Sequence, residues 1–299
     1  MDSIKRVEKI SKKSIYFYKV DINNKNELNN IFKKHTIDAV IHFAGLKILS
    51  KSIQNPIDYY KANVAGSIIL AEVMNKFNCK KLVFSSSASV YGDSLKVPIC
   101  EDFPLKPQNP YARSKLVSEN FFQDVFNSDP SWSIALLRYF NPVGAHKSGL
   151  IGEDSVGIPT NLMPYISQVA FGLRQNLSIF GNDYDTHDGT GVRDYIHVED
   201  IARAHVNSLR VLETTSQLLK INLGTGKGYS VLDVVKAFEK ASGRQIPYKF
   251  LKRRYGDVDK CFTNPELASQ KIKWEAKYGI DEMCEDAWRW QLMNPSGYN

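Results

Sequence analysis

The chain has 299 residues, enough for two domains of ordinary size, and its 43% hydrophobic and 24% charged residues are a globular balance. No apolar run reaches the length of a membrane span, and the opening MDSIKRVEKISKK has no apolar stretch behind it to make a signal peptide. The net charge of +7 comes from scattered lysines, without a basic helix or an aromatic-basic stripe, so nucleic acid is not expected; the charge serves solubility or attracts anionic ligands.

In chain order, IYFYKVDI (15–22) alternates and ends at an Asp, which predicts a strand, and NELNNIFKKH (26–35) has helical spacing. DAVIHFAG (38–45) is an apolar run ending in small residues, the mark of a buried parallel strand. A long helix is predicted over 59–78, then a strand running into a small polar loop over 80–92. PYARSKLVSENFFQDVFN (110–127) predicts a helix with Pro110 near its start, and SIALLRYFNPVG (133–144) another strand and loop. Beyond that lie a loop, strand and helix over 177–212, a strand and turn over 220–230, and a helix over 230–243 closed by Gly243. Alternating strands and helices predict an α/β fold with a Rossmann-like parallel sheet. A smaller α+β unit is interleaved with it in sequence.

Two features carry chemistry. Tyr111 and Lys115 in YARSK are four apart, on one helical face. A phenol has a pKa of about 10, and a nearby ammonium lowers it. Such a pair can deprotonate a hydroxyl without a metal, although taken alone it is also what an ordinary surface helix carries. The second feature is SSSASVYG (85–92), a hydroxyl-rich strand end that can hold a reacting oxygen. In a βα repeat this loop comes beside Tyr111. Cys79, Cys100, Cys261 and Cys284 share no C-x-x-C spacing; neither a metal site nor disulfides are expected, and a reducing cytoplasm fits.

Together with VIHFAGL (40–46), ALLRYFNPVGAH (135–146), NLMPYISQVA (161–170), IFGNDY (179–184), DGTGVRDYIHVED (188–200), SVLDVV (230–235) and WRWQLMNPSGY (288–298), these segments resemble the UDP-sugar 4-epimerases of the extended short-chain dehydrogenases, in the family's order over nearly the whole chain. The related dehydratases carry an Asp-Glu pair after the strand-end Thr; here those places hold Ser and Ala. The resemblance implies NAD as cofactor and interconversion of UDP-galactose and UDP-glucose through a 4-keto sugar. Tyr111 is then the general base, Lys115 depresses its pKa and holds the nicotinamide ribose, and Ser87 bonds the sugar oxygen. Asp21, Ile22, Phe43, Ala44, Gly45, Lys47, Asn63, Ser85 and Tyr139 match further cofactor contacts. Phe140, Asn141, Asn161 and Leu162 match substrate contacts, and Phe180 a wall of the uracil pocket. Arg193 and Arg254 match a diphosphate clamp, and Asp257 an acceptor for the uridine ribose. Cys261 stands where a bulky Tyr excludes N-acetyl sugars, so its small size implies that these are admitted too. The resemblance divides the chain into a cofactor unit (1–143 with 189–221) and a substrate unit (144–188 with 222–299). It implies a homodimer built on the helices at 59–78 and 110–127. A UDP-glucuronate or UDP-pentose epimerase, or an inactive UDP-sugar-binding remnant, is the rival reading.

One departure stands out. Family members begin with a strand and G-x-x-G-x-x-G, whereas no glycine precedes Gly45 here. IYFYKVDI matches the family's third strand, so the first two strands and a helix, roughly 35–40 residues by the size of such units, are expected to be missing. A shortened reading of a longer gene is the favoured explanation. A chain that truly existed in this form is expected to bind NAD poorly and to be weakly stable.

Overall fold

The alternation predicted over 38–144 folds as a parallel sheet. The computed structural model describes residues 2–93, 96–155, 157–254 and 257–298. Helix α1 (Asp2–Ser11) and an extended stretch lead to α2 (Lys25–Lys34). Strand β1 (Val40–His42) is followed by α3 (Leu49–Gln54), α4 (Pro56–Tyr60), a π turn (Lys61–Ala65) and α5 (Gly66–Lys76). Then come β2 (Lys81–Ser87), a 3-10 turn (Ala88–Tyr91), α6 (Pro110–Ser128), β3 (Ser133–Tyr139) and β4 (Asn141–Val143). The second half contains α7 (Leu162–Phe171), β5 (Leu177–Phe180), β6 (Val192–His197), α8 (Val198–Thr214) and β7 (Leu218–Leu223). It closes with β8 (Gly228–Ser230), α9 (Val231–Ser242), β9 (Tyr248–Leu251), β10 (Lys260–Cys261), α10 (Glu266–Ile272) and α11 (Ile280–Met293).

The main sheet has the order β1-β2-β3-β7, all parallel, so its carboxyl ends share one edge. Successive residues of a strand face opposite sides. Leu82 and Phe84 of β2, with Ile134 and Leu136 of β3, pack on one face with Met74 and Phe122. Val83, Ala135 and Leu137 pack on the other with Ile201, Ala204 and Trp274. Burial on both faces explains why these strands read as near-continuous apolar runs. A second sheet, β10-β6-β4 with β8 against β6, and the pair β5-β9 adjoin a separate core of Met163, Ile166, Leu177, Ile179, Val234, Phe238, Met283 and Trp288.

Local signals set the helix ends. Asn109 caps α6 by accepting the Ala112 amide at 2.9 Å, with Pro110 in the first helical position. Ser230 and Asp233 form a reciprocal capping box on α9, which Gly243 closes in the left-handed conformation at φ 64°. Arg6 ties α1 to the C-terminal segment: it donates to the Leu150 carbonyl at 3.2 Å and lies 4.9 Å over the Tyr298 ring.

Three expectations need correction. IYFYKVDI is not a strand; 15–20 runs outside any ladder, with Tyr16 81% exposed. Alternation makes a strand only where a neighbour supplies hydrogen bonds, and β1 is the edge of the main sheet. The single helix over 59–78 is instead α4, the π turn and α5 in succession. α10 and Trp274, assigned by sequence to the substrate unit, pack on the main sheet.

Candidate active site

The carboxyl edge of the main sheet gathers the hydroxyl-rich end of β2, the end of β3 and the first turns of α6. Tyr111 and Lys115 sit one turn apart on α6, and the chain brings Ser87 beside Tyr111 as the spacing predicts. Lys115 is buried and donates from Nζ to the Ser85 carbonyl at 2.7 Å, with its charge 4.9 Å from the Phe84 ring centroid. Burial lowers its ammonium to about 8, and the Glu119 carboxylate opposes the change. Tyr111 differs from expectation. Burial raises its phenol, the Ser87 hydroxyl pulls it down, and Tyr59, whose ring lies edge-on at 6.5 Å, pushes it up. Lys115 does not lower it in this geometry, because Nζ is turned to the strand carbonyl.

Tyr139 ends β3 and bonds His205 Nε2 at 2.6 Å. His205 Nδ1 is 2.8 Å from the Ile201 carbonyl, which fixes the proton on Nδ1 and makes Tyr139 the donor. Burial raises the Tyr139 phenol, and the Ser85 hydroxyl acts against it. Phe43, just past β1, lies against His205 with centroids 4.6 Å apart and the rings tilted by 37°, and is 57% exposed. Ala44 beside it is also exposed. Asn63, from the π turn, accepts from the Leu46 amide at 2.7 Å and donates to the Leu46 carbonyl and Ser114 Oγ. These bonds pin the 43–47 loop to its side chain. A Cβ on Gly45 would come within 2.8 Å of Asn63 Oδ1, so the loop lies tight on that side chain.

The substrate-side residues form a second group. Arg254 Nε is 3.1 Å from Asp257 Oδ2, and Arg193 Nη2 is 3.9 Å from Oδ1. The Arg254 guanidinium is 4.8 Å over the Phe180 ring. Cys261 pairs in register with Arg193 across β10 and β6, and packs beside the cluster that holds Phe140. Asn141 pairs with Tyr195 on the same sheet. Leu162 packs on the second core, and Asn161 is exposed at the start of α7. Asp21 and Ile22 stand apart: Asp21 accepts the Asn23 amide at 2.8 Å, and Ile22 packs in the core beneath α5.

Sequence reasoning missed three neighbours of these groups. Glu153 Oε1 lies 3.4 Å from both Lys47 Nζ and Asn161 Nδ2, joining a cofactor-side residue to a substrate-side one. Tyr184 lies buried under Arg253, 4.0 Å from its guanidinium, and in the field of Asp257, Arg193 and Arg254; its hydroxyl has no hydrogen-bond partner among the described residues. His205 is the third. Only Tyr184 had a signal, since it closes the IFGNDY segment. Among the described residues one set has metal-ligand geometry, His187, Asp188 and Asp233. Its carboxylates already cap Thr190 and Ser230.

The edge thus presents a buried base candidate, a buried ammonium, several hydroxyls and an exposed aromatic platform, with two guanidinium groups around a carboxylate nearby. The family model described as GDP-mannose 4,6 dehydratase matches residues 1–287. UDP-glucose 4-epimerase of Bacillus subtilis is 52% identical over 297 residues, 99% of this chain and 88% of the relative. The Homo sapiens UDP-glucose 4-epimerase is 53% identical over 298 residues, 99% and 86% respectively. The structure of UDP-glucose 4-epimerase from Bifidobacterium longum in complex with NAD+ and UDP superposes with a TM-score of 0.95 at 47% identity, covering 99% of this chain and 88% of that one. With identities above one half over nearly its full length, the chain belongs to the UDP-glucose 4-epimerase family of extended short-chain dehydrogenases.

Proposed function

We propose that the chain interconverts UDP-galactose and UDP-glucose as an NAD-dependent isomerase, with Tyr111, Ser87 and Lys115 at the reacting carbon. The observation that carries this reading is the meeting of Ser87, Tyr111 and Lys115 at the carboxyl end of β2. The edge fits NAD: Phe43 offers an exposed flat apolar face, and Lys115, Ser85 and Tyr139 offer polar groups to a ribose. Phe43, Ala44, Gly45, Lys47, Asn63, Ser85, Tyr139 and Lys115 are the residues that would hold it, with Asp21 and Ile22 further off. Bound there, NAD would supply a reversible hydride acceptor for the sugar's carbon 4.

The chain's own groups do the rest. Tyr111 removes the proton from the 4-hydroxyl and later gives it back. Its phenol is raised by burial and drawn back down by the Ser87 hydroxyl, which is the stabilisation the chain offers a phenolate in this geometry. Ser87 donates to the same sugar oxygen. Arg193 and Arg254 grip the diphosphate with forked donors. Asp257 accepts from the uridine ribose, and Phe180 flanks the base. Phe140, Asn141, Asn161 and Leu162 bound the sugar. A firm grip on the diphosphate lets the 4-keto sugar turn over while its anchor stays fixed.

Cys261 supports a wider substrate range. It is small and lies opposite Arg193, so the pocket admits the N-acetyl forms as well. A structural relative 33% identical, from Campylobacter jejuni, is a UDP-Glc/GlcNAc 4-epimerase. The two cores support a cofactor unit and a substrate unit divided as the sequence suggests, with α10 moved to the former. A homodimer is supported by Ile53, Ile57, Tyr60, Ile68 and Val117, which are exposed on α3 to α6. A monomer in sedimentation would reject it. Four free cysteines suit a cytoplasmic setting. The test of the whole reading is to measure UDP-galactose turnover. Turnover with NAD supplied in excess is expected, and its absence under that condition refutes the reading.

A further inference from the structure

A buried column of polar contacts runs behind the candidate site. Tyr111, Lys115 and Glu119 recur every fourth residue on α6 and therefore stack on one face. Each meets a different member of the β2 serine triplet. Tyr111 faces Ser87, Lys115 bonds the Ser85 carbonyl, and Glu119 accepts from Ser86 Oγ. Glu119 also takes a two-pronged ion pair from Arg138 on β3, Nε to Oε1 at 3.0 Å and Nη2 to Oε2 at 2.7 Å. The remaining nitrogen, Nη1, donates to the Tyr91 hydroxyl at 2.7 Å and to the Glu101 carbonyl at 3.3 Å. Tyr91 donates onward to Asn222 Oδ1 at 2.7 Å, and it closes the 3-10 turn that begins directly after Ser87.

None of Ser86, Tyr91, Glu119, Arg138 and Asn222 is more than 2% exposed. Apolar packing of equal volume stabilises a fold as well as a buried ion pair does, so stability alone does not account for this one. Its geometry does. A guanidinium fork accepts one orientation of its partners. Here one fork joins the helix that carries Tyr111 and Lys115 to the turn that follows Ser87. We propose that Arg138 and Glu119 are positioning residues for the epimerase reaction, holding the Tyr111–Lys115 helix and the Ser87 turn in one relative placement. This inference rests on the functional reading above.

Glu119 has a second effect, on Lys115. The groups facing Lys115 are Glu119 from its own helix, the Phe84 ring and Ser85 carbonyl from β2, and His42 from β1, which burial lowers to about 3 and so keeps neutral. Removing the Glu119 charge therefore lowers the pH at which Lys115 loses its proton.

The test uses the full chain with NAD, in Glu119→Gln, Tyr91→Phe and the charge-free double variant Glu119→Gln with Arg138→Gln. For Glu119→Gln, kcat should fall about tenfold or more while KM for UDP-galactose stays within about threefold, because the diphosphate grip is elsewhere. The Lys115 titration, followed by carbon-13 lysine NMR, should move to lower pH in Glu119→Gln. Tyr91→Phe should lower kcat severalfold with that titration unmoved. The double variant should fold, since no lone charge is buried, yet stay slow. Parent kcat in the folded double variant and in Tyr91→Phe overturns the proposal, and this comparison stands even if Glu119→Gln alone does not fold. If the parent itself does not turn over UDP-galactose, the functional reading has failed separately. A crystal structure of the double variant then decides, and an unchanged placement of Tyr111 against Ser87 overturns the inference.

Discussion

Replacing Lys115 by Met should make the protein more stable and far less active. The buried ammonium is lowered from 10.5 to about 8, chiefly by burial. At about 1.4 kcal/mol for each tenfold step, that gap means folding loses about 3 kcal/mol while the group is charged in both states. Methionine removes this term and suits the contact over Phe84. It leaves the Ser85 carbonyl without its donor, which costs about 1 kcal/mol. The net gain near neutral pH is about 2 kcal/mol, or a melting point higher by about 4 °C. The sign with pH follows from proton counting. Between about 8 and 10.5 the unfolded chain binds more protons at this group than the native one, so parent stability rises with pH across that window. The advantage of the variant should therefore shrink there. Thermal melts of both proteins from neutral to alkaline pH check this. A variant that melts at or below the parent near neutral pH, or a difference that stays flat across the window, refutes the reasoning.

Tyr111→Phe should lower kcat by about 10²–10⁴, the usual share of a positioned acid–base group, with little change in melting point; steady-state kinetics beside a thermal melt check both halves. Cys261→Tyr should keep UDP-galactose turnover and lose that of the N-acetyl substrate by about tenfold or more, which a two-substrate panel measures. Gly92→Ala should destabilise by about 1–3 kcal/mol, because φ is +63° and the added Cβ would lie 1.9 Å from the Lys106 carbonyl oxygen. A denaturant titration reads that loss, and an unchanged midpoint would show that the 104–108 loop simply moves aside.

Much of this arrangement was legible in the residues because it is local. The four-residue step from Tyr111 to Lys115 needs only helical geometry, and the strand before Ser87 announces itself by its apolar run. What was not legible depends on partners far along the chain. IYFYKVDI has the right alternation, but pairing decides whether a strand forms, and no pattern within 15–22 reports on neighbours. Helices α7, α10 and α11 were not assigned, although NLMPYISQVA and WRWQLMNPSGY were noted as motifs. Glu119 and Arg138 are 19 residues apart on a helix and a strand, and no spacing rule relates such a pair. Glu153 meets Lys47 across 106 residues. The direction of the Tyr111 shift was misread for a related reason. Sequence places an ammonium one turn away, but only coordinates reveal that it points to a carbonyl.

The serine triplet at the end of β2 also has a bearing on heredity. Ser86 turns toward α6 and is taken by Glu119, while Ser85 and Ser87, of opposite parity, serve Tyr139 and Tyr111. Losing a single codon from the triplet would leave two identical side chains and an almost unchanged composition. It would also shift the strand by one step and exchange the hydroxyl that braces the scaffold with those that meet the reaction. Missense changes from Ser to Thr at these positions should be tolerated far better than an in-frame deletion that looks milder on paper.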